Sequence, residues 1–139
     1  MFKTVLFPVD QSREAREAAE VVANVVQKYG SRLFLLSVLE EASPEEASPS
    51  PETEPMMSPE AVAELLKNAQ ALFAQKSIDT ETISREGMPA FTICDVADES
   101  GADLIVMGCR GLGLTEEGAS ESVTNRVINL SPCPVLIVP

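Results

Sequence analysis

The stretch "DLIVMGCRGLGLTEEGASESVTN", residues 103 to 125, runs from a short buried-strand pattern into a glycine loop and on to the start of a helix. Gly108 and Gly111 sit where backbone N–H groups can approach an anion closely, and a helix N-terminus favours negative charge. Such a loop is built to hold phosphate. Yet it carries Glu116, Glu117 and Glu121 against Arg110 and Arg126, so residues 108 to 126 sum to −1 before any ligand arrives. Strand, glycine loop and helix together form half of a βαβ unit, and the rest of the chain repeats that alternation.

Working outward, "FKTVLFPV" (2 to 9) is rich in β-branched and aromatic residues and ends at Asp10, a buried strand closing in a polar turn. Ala15, Ala18, Ala19, Val22, Val25, Val26 and Tyr29 then recur at helical spacing, with Ser12 as N-cap and Gly30 as stop. "RLFLLSVL" (32 to 39) is continuously apolar and belongs in the middle of a sheet covered on both faces. Ser58-Pro59 starts a second helix whose stripe is Val62, Leu65, Leu66, Ala69, Leu72 and Phe73. "DTETISRE" (79 to 86) is β-branched but polar, an edge strand. Pro89 opens a third helix with Ala90, Ile93, Cys94 and Ala97 inward and Gly101 as stop, and Cys94 reads as a core residue. Residues 103–108 form the fourth strand; Val123, Val127, Ile128 and Leu130 mark a fourth helix before a last strand, "PVLIVP" (134 to 139). Five strands alternating with four helices imply right-handed crossovers and a mostly parallel sheet with helices on both faces.

Composition narrows the function classes. The length of 139 residues fits one domain, and the net charge of −12 is largely local: residues 40 to 60 hold seven glutamates and no Lys or Arg, supplying −7 and leaving −5 elsewhere. Residues 40–59, rich in Pro, Ser and Glu, are expected to form a disordered acidic loop, read either as a docking segment for protein partners, with Met56 and Met57 as adhesive points, or as a solvated linker. No lysine follows Lys76, which disfavours nucleic acid or an anionic membrane as partner. With no histidine and three scattered cysteines, the chain offers neither a His-based catalytic site nor a disulfide framework. Its longest apolar runs are strand-sized and its first residues enter a strand pattern directly, so a cytoplasmic location is expected.

"FPVDQS", "REGMPA", "DLIVMGCRG" and the closing "SPCPVLIVP", in that order and with matching elements between them, resemble the universal stress protein family over the whole chain except the acidic insertion. The resemblance implies a three-layer Rossmann-like fold of the adenine nucleotide alpha hydrolase-like kind, with strand order 3-2-1-4-5, in a protein that is usually a homodimer. It also implies an ATP site whose glycine loop wraps the phosphates, with base and ribose against Pro8, Val9 and Asp10 and with Val38 and Met107 beside the adenine. Gly108 and Gly111 match the first glycines of that family's loop, Ser122 matches its hydroxyl position, and Arg110 and Val123 flank these.

An aspartate at a strand terminus can accept from both ribose hydroxyls, and flanking aliphatic residues offer a wall for a purine; Asp10 read without the family could equally cap its own turn. Arg110 could reach a phosphate or pair with Glu116 or Glu117. Cys109 beside a helix start could respond to oxidants.

One position departs from the family's pattern. Nine residues, Leu112 to Ser120, follow Gly111, and Glu121 stands where the third glycine belongs. At about 4 Å and an effective dielectric near 20, its repulsion of a phosphate charge would be roughly 4 kcal/mol, about three decades in affinity. AMP is therefore expected to be favoured over ATP, with magnesium accompanying ATP if ATP binds. No Walker lysine is present, so the chain reads as a non-enzymatic regulatory protein. The alternatives are a scaffold that binds no nucleotide and a weak ATP hydrolase. The apolar last strand at a sheet edge would invite aggregation unless paired, which predicts a homodimer through residues 134 to 139.

Overall fold

The computed structural model describes residues 2–9, 13–39, 59–108 and 123–139. Asp10, Ser12, the acidic segment from residue 40 to residue 58, Cys109, Arg110, Gly111, Glu116, Glu117, Glu121 and Ser122 lie outside the described residues. Nine elements alternate along the chain: β1 (Thr4–Pro8), α1 (Arg13–Tyr29), β2 (Arg32–Leu39), α2 (Pro59–Gln75), β3 (Thr80–Glu86), α3 (Pro89–Ser100), β4 (Leu104–Gly108), α4 (Val123–Leu130) and β5 (Val135–Val138).

The strands form a single parallel sheet in the order β3-β2-β1-β4-β5. The chain builds outward from β1 through β2 to β3, then crosses back to β4 and β5 on the other side. Crossovers of one hand therefore leave α1 and α2 on one face and α3 and α4 on the other. Two cores result. Val5, Phe7, Leu33, Leu35 and Val106 pack under α1 and α2, while Leu6, Leu36, Ile105 and Met107 pack under α3 and α4. The alternation of side chains along each strand produces this division, and it explains why β2 is buried along most of its length.

Local chemistry sets the element ends. In α1, Ala18, Ala19, Val22, Ala23 and Val26 are buried at helical spacing, and Gly30 ends the helix at φ 64°. In α3, Pro89 occupies the first turn, and Gly101 at φ 69° donates its N–H to the carbonyls of Ala97 and Asp98. Phe7 and Phe73 meet edge to face at 6.2 Å, tying β1 to α2. Leu72, one residue along and so rotated by about 100°, is 41% exposed and leaves the buried stripe expected for it. Among the described residues no helix is long and apolar enough to cross a membrane.

Candidate functional site

The chain reverses between β1 and β4, and there the sheet opens. β1 stays in register with β2 as far as Pro8↔Leu36, and the N–H of Val9 still donates to the carbonyl of Leu36 at 2.8 Å. With β4, by contrast, it pairs at Val5↔Leu104 and Leu6↔Ile105. Beyond Leu6 and Ile105 the ladder between the two strands is not continued. A crevice between strand C-termini at a reversal of strand order is where open α/β sheets bind ligands.

Alternation decides what faces this crevice. Met107, nearly buried, shares the α3/α4 face with Val38 and Val123, both half-buried and packed against the same core. Pro8 follows Leu6 onto that face by the same alternation. Four of the ten residues expected at the site thus gather as an apolar wall at one end of one face. Gly108 ends β4 beside them, in register with Val138 of β5. Val9 is placed differently: its side chain joins Val5 and Phe7 on the α1/α2 face and lines a cavity of about 940 Å³ between those helices, with Leu65 and Phe73 opposite. Only its peptide group stays with the strand end. Asp10, Arg110, Gly111 and Ser122 lie outside the described residues.

Two contacts that the sequence did not announce shape the rim. The hydroxyl of Thr124, a residue 5% exposed, donates to the carbonyl of Gly108 at 3.1 Å and ties the first turn of α4 to the end of β4. The N–H of Gly87 donates to the carbonyl of Leu39 at 2.9 Å and draws the turn into α3 against the end of β2, next to Val38. A polar residue after a valine at a helix start was the only hint of the first. A glycine before Met-Pro was the hint of the second.

Electrostatically the described part of the crevice is neutral, since Pro8, Val38, Met107 and Val123 carry no titratable group. The two described thiols of the same core have raised pKa values: burial, with Asp95 and Cys133 adding to it, pushes Cys94 up, and burial pushes Cys133 up against the opposing hydrogen bond of Ser131. Among the described residues no group of three His, Cys, Asp or Glu side chains is placed to hold a metal ion. Among the described residues this apolar wall can hold a flat ligand by contact and carries no charge with which to grip an anion.

A sequence profile described as the Universal stress protein family matches residues 1–139. The chain belongs to the universal stress protein family. Universal stress protein Sll1654 of Synechocystis is 66% identical over 139 residues, covering 100% of this chain and 87% of that protein. Among solved structures, a universal stress protein in complex with cAMP superposes with a TM-score of 0.78 at 24% identity, covering 99% of this chain and 97% of that one. The universal stress protein from Archaeoglobus fulgidus in complex with dAMP gives 0.73 at 20% identity, with coverages of 99% and 98%. At these identities the two structures establish the universal stress protein fold, and the strand order expected from the resemblance is the one observed.

Proposed function

We propose that this chain is a non-enzymatic, dimeric regulatory protein of the stress response that takes an adenine nucleotide in the crevice between β1 and β4, AMP in preference to ATP. The observation that carries the reading is the opening of β1 from β4 beside an apolar wall of Pro8, Val38 and Met107. A purine gains from contact with such a wall, at about 25 cal/mol per Å² of apolar area buried. Asp10 directly follows the described end of that strand, where a carboxylate can accept from ribose hydroxyls. Two proteins of the same fold were solved with cAMP and dAMP, so an adenosine monophosphate suits this architecture.

The preference for AMP comes from Glu121, which replaces a glycine of the family's phosphate loop and adds negative charge where each further phosphate adds more. The non-enzymatic reading rests on the sequence, which carries no Walker lysine to hold a transferring phosphate. Isothermal calorimetry with AMP, ADP and ATP in the presence of magnesium tests the proposal. AMP should bind most tightly, and Glu121→Gly should strengthen ATP binding by at least tenfold while leaving AMP within about threefold. ATP binding tighter than AMP in the native chain would overturn the preference. Heat from none of the three would favour the nucleotide-free scaffold, and sustained phosphate release from ATP would favour the hydrolase.

A further inference from the structure

We propose that Thr124 is a positioning residue for the nucleotide crevice: its hydroxyl, bonded to the carbonyl of Gly108, sets the gap between Met107 and Val123. The inference rests on the nucleotide reading above. Thr124 and Ser37 are the buried polar residues among those described, and the Thr124 bond joins groups sixteen residues apart in the chain. It spans from the last residue of β4 to the second residue of α4, so it closes one side of the crevice.

The shortness of α4 gives this bond its leverage. Eight residues make about two turns, and an isolated helix of that length is marginal in water. Its position therefore depends on tertiary anchors. Val127, fully buried, anchors its second turn in the core, and Val123 is only half-buried at its start. The Thr124 hydroxyl holds the first turn, one residue from Val123. Without it the second turn keeps its apolar anchor while the first loses its buried tie to β4, and Val123 can shift away from Met107. Gly108 is half-exposed, so water can replace the lost donor and the folded state loses little. A ligand packed between Met107 and Val123 would lose more, because dispersion contact falls away within about an ångström of separation. Affinity should respond more strongly than stability, and this separates a positioning role from one confined to the core.

The test compares the native chain with Thr124→Val, which keeps the shape and removes the hydroxyl, and Thr124→Ser, which keeps the hydroxyl. AMP binding is measured by calorimetry, global stability by urea unfolding, and opening of α4 by hydrogen exchange at the amides of Val123 to Val127. Thr124→Val should weaken AMP binding about tenfold, equivalent to about 1.4 kcal/mol, and speed exchange in α4 but not in β1 or β2. Thr124→Ser should stay within about twofold of native affinity. The proposal is overturned if Thr124→Val binds AMP like the native chain, if Thr124→Ser is as weak as Thr124→Val, or if only global stability falls. Failure of the native chain to bind AMP would overturn the nucleotide reading and this inference together, whereas native binding unchanged in Thr124→Val sinks this inference alone.

Discussion

Gly87 and Asp103 show how single residues hold the frame around the crevice. Gly87 has φ 148°, a conformation that L side chains rarely adopt, and a Cβ added there would lie 2.7 Å from the hydroxyl oxygen of Thr92 in the first turn of α3. Rotating Thr92 relieves the contact but not the backbone, so Gly87→Ala should cost about 1–3 kcal/mol, read as a lower urea midpoint at unchanged m-value. At the opposite end of the sheet, Asp103 accepts from the N–H of Lys3 at 2.9 Å and of Thr4 at 3.0 Å, and its own N–H donates to the carbonyl of Thr4, so it staples the start of β1 to β4. Partial desolvation pushes its carboxyl up, but the donors of Thr4, Lys3 and its own amide outweigh that and hold it below the ordinary value of 3.8. A carboxyl lowered by folding stabilises the native state above its unfolded pKa and loses that contribution as pH falls through the folded one. Asp103→Asn should therefore be less stable than the native chain at pH 7, by no more than about 1 kcal/mol because solvent screens so exposed a carboxylate. The difference should shrink only below about pH 4. A gap that stayed constant down to pH 2 would remove the charge from the explanation.

At the scale of elements, patterning carried most of the fold. The polar β-branched run from residue 79 to residue 86 reads as an edge and is one, and the apolar run from residue 32 to residue 39 reads as internal and lies between β3 and β1. These were legible because burial on two faces, one face or neither leaves its mark directly on residue type. Where side chains answer to distant neighbours the pattern misleads. Leu72 of α2 and Ile128 and Leu130 of α4 continue apolar stripes in the sequence, yet each is more than 40% exposed. Helical periodicity sets the direction of a side chain and not the presence of something to receive it. The crevice was legible in the same partial way. Strand alternation sets Val38 and Met107 on the α3/α4 face and turns the side chain of Val9 to the other face. The Thr124 and Gly87 contacts were hidden, since each joins groups brought together only by the crossovers.

The whole molecule presents two sheet edges of opposite character, and the contrast is the ground for the proposed dimer. Along β3 the exposed edge carries Glu81, Arg85 and Glu86, with Arg32 pairing to Glu81 and Arg85 to Glu99 at 3.2 Å. Those ion pairs, exposed as they are, add little stability, but charge on an edge discourages another strand from docking there. β5 has no such protection: Val135, Leu136, Ile137 and Val138 are all half-buried, and α4, which leads into it, leaves Ile128 and Leu130 exposed. Unpaired backbone beside apolar side chains is removed from water most economically by a second copy, and a two-fold axis lets the same edge serve both partners. Light scattering at micromolar concentration should accordingly give twice the 14.9 kDa mass of one chain. Val138→Lys would place on this edge the kind of charge that β3 already carries. That variant should shift the equilibrium toward monomer by at least tenfold, while its circular dichroism stays that of the native chain. A native chain that scatters as a monomer at that concentration would leave the apolar edge unexplained and end the case for β5 as the interface.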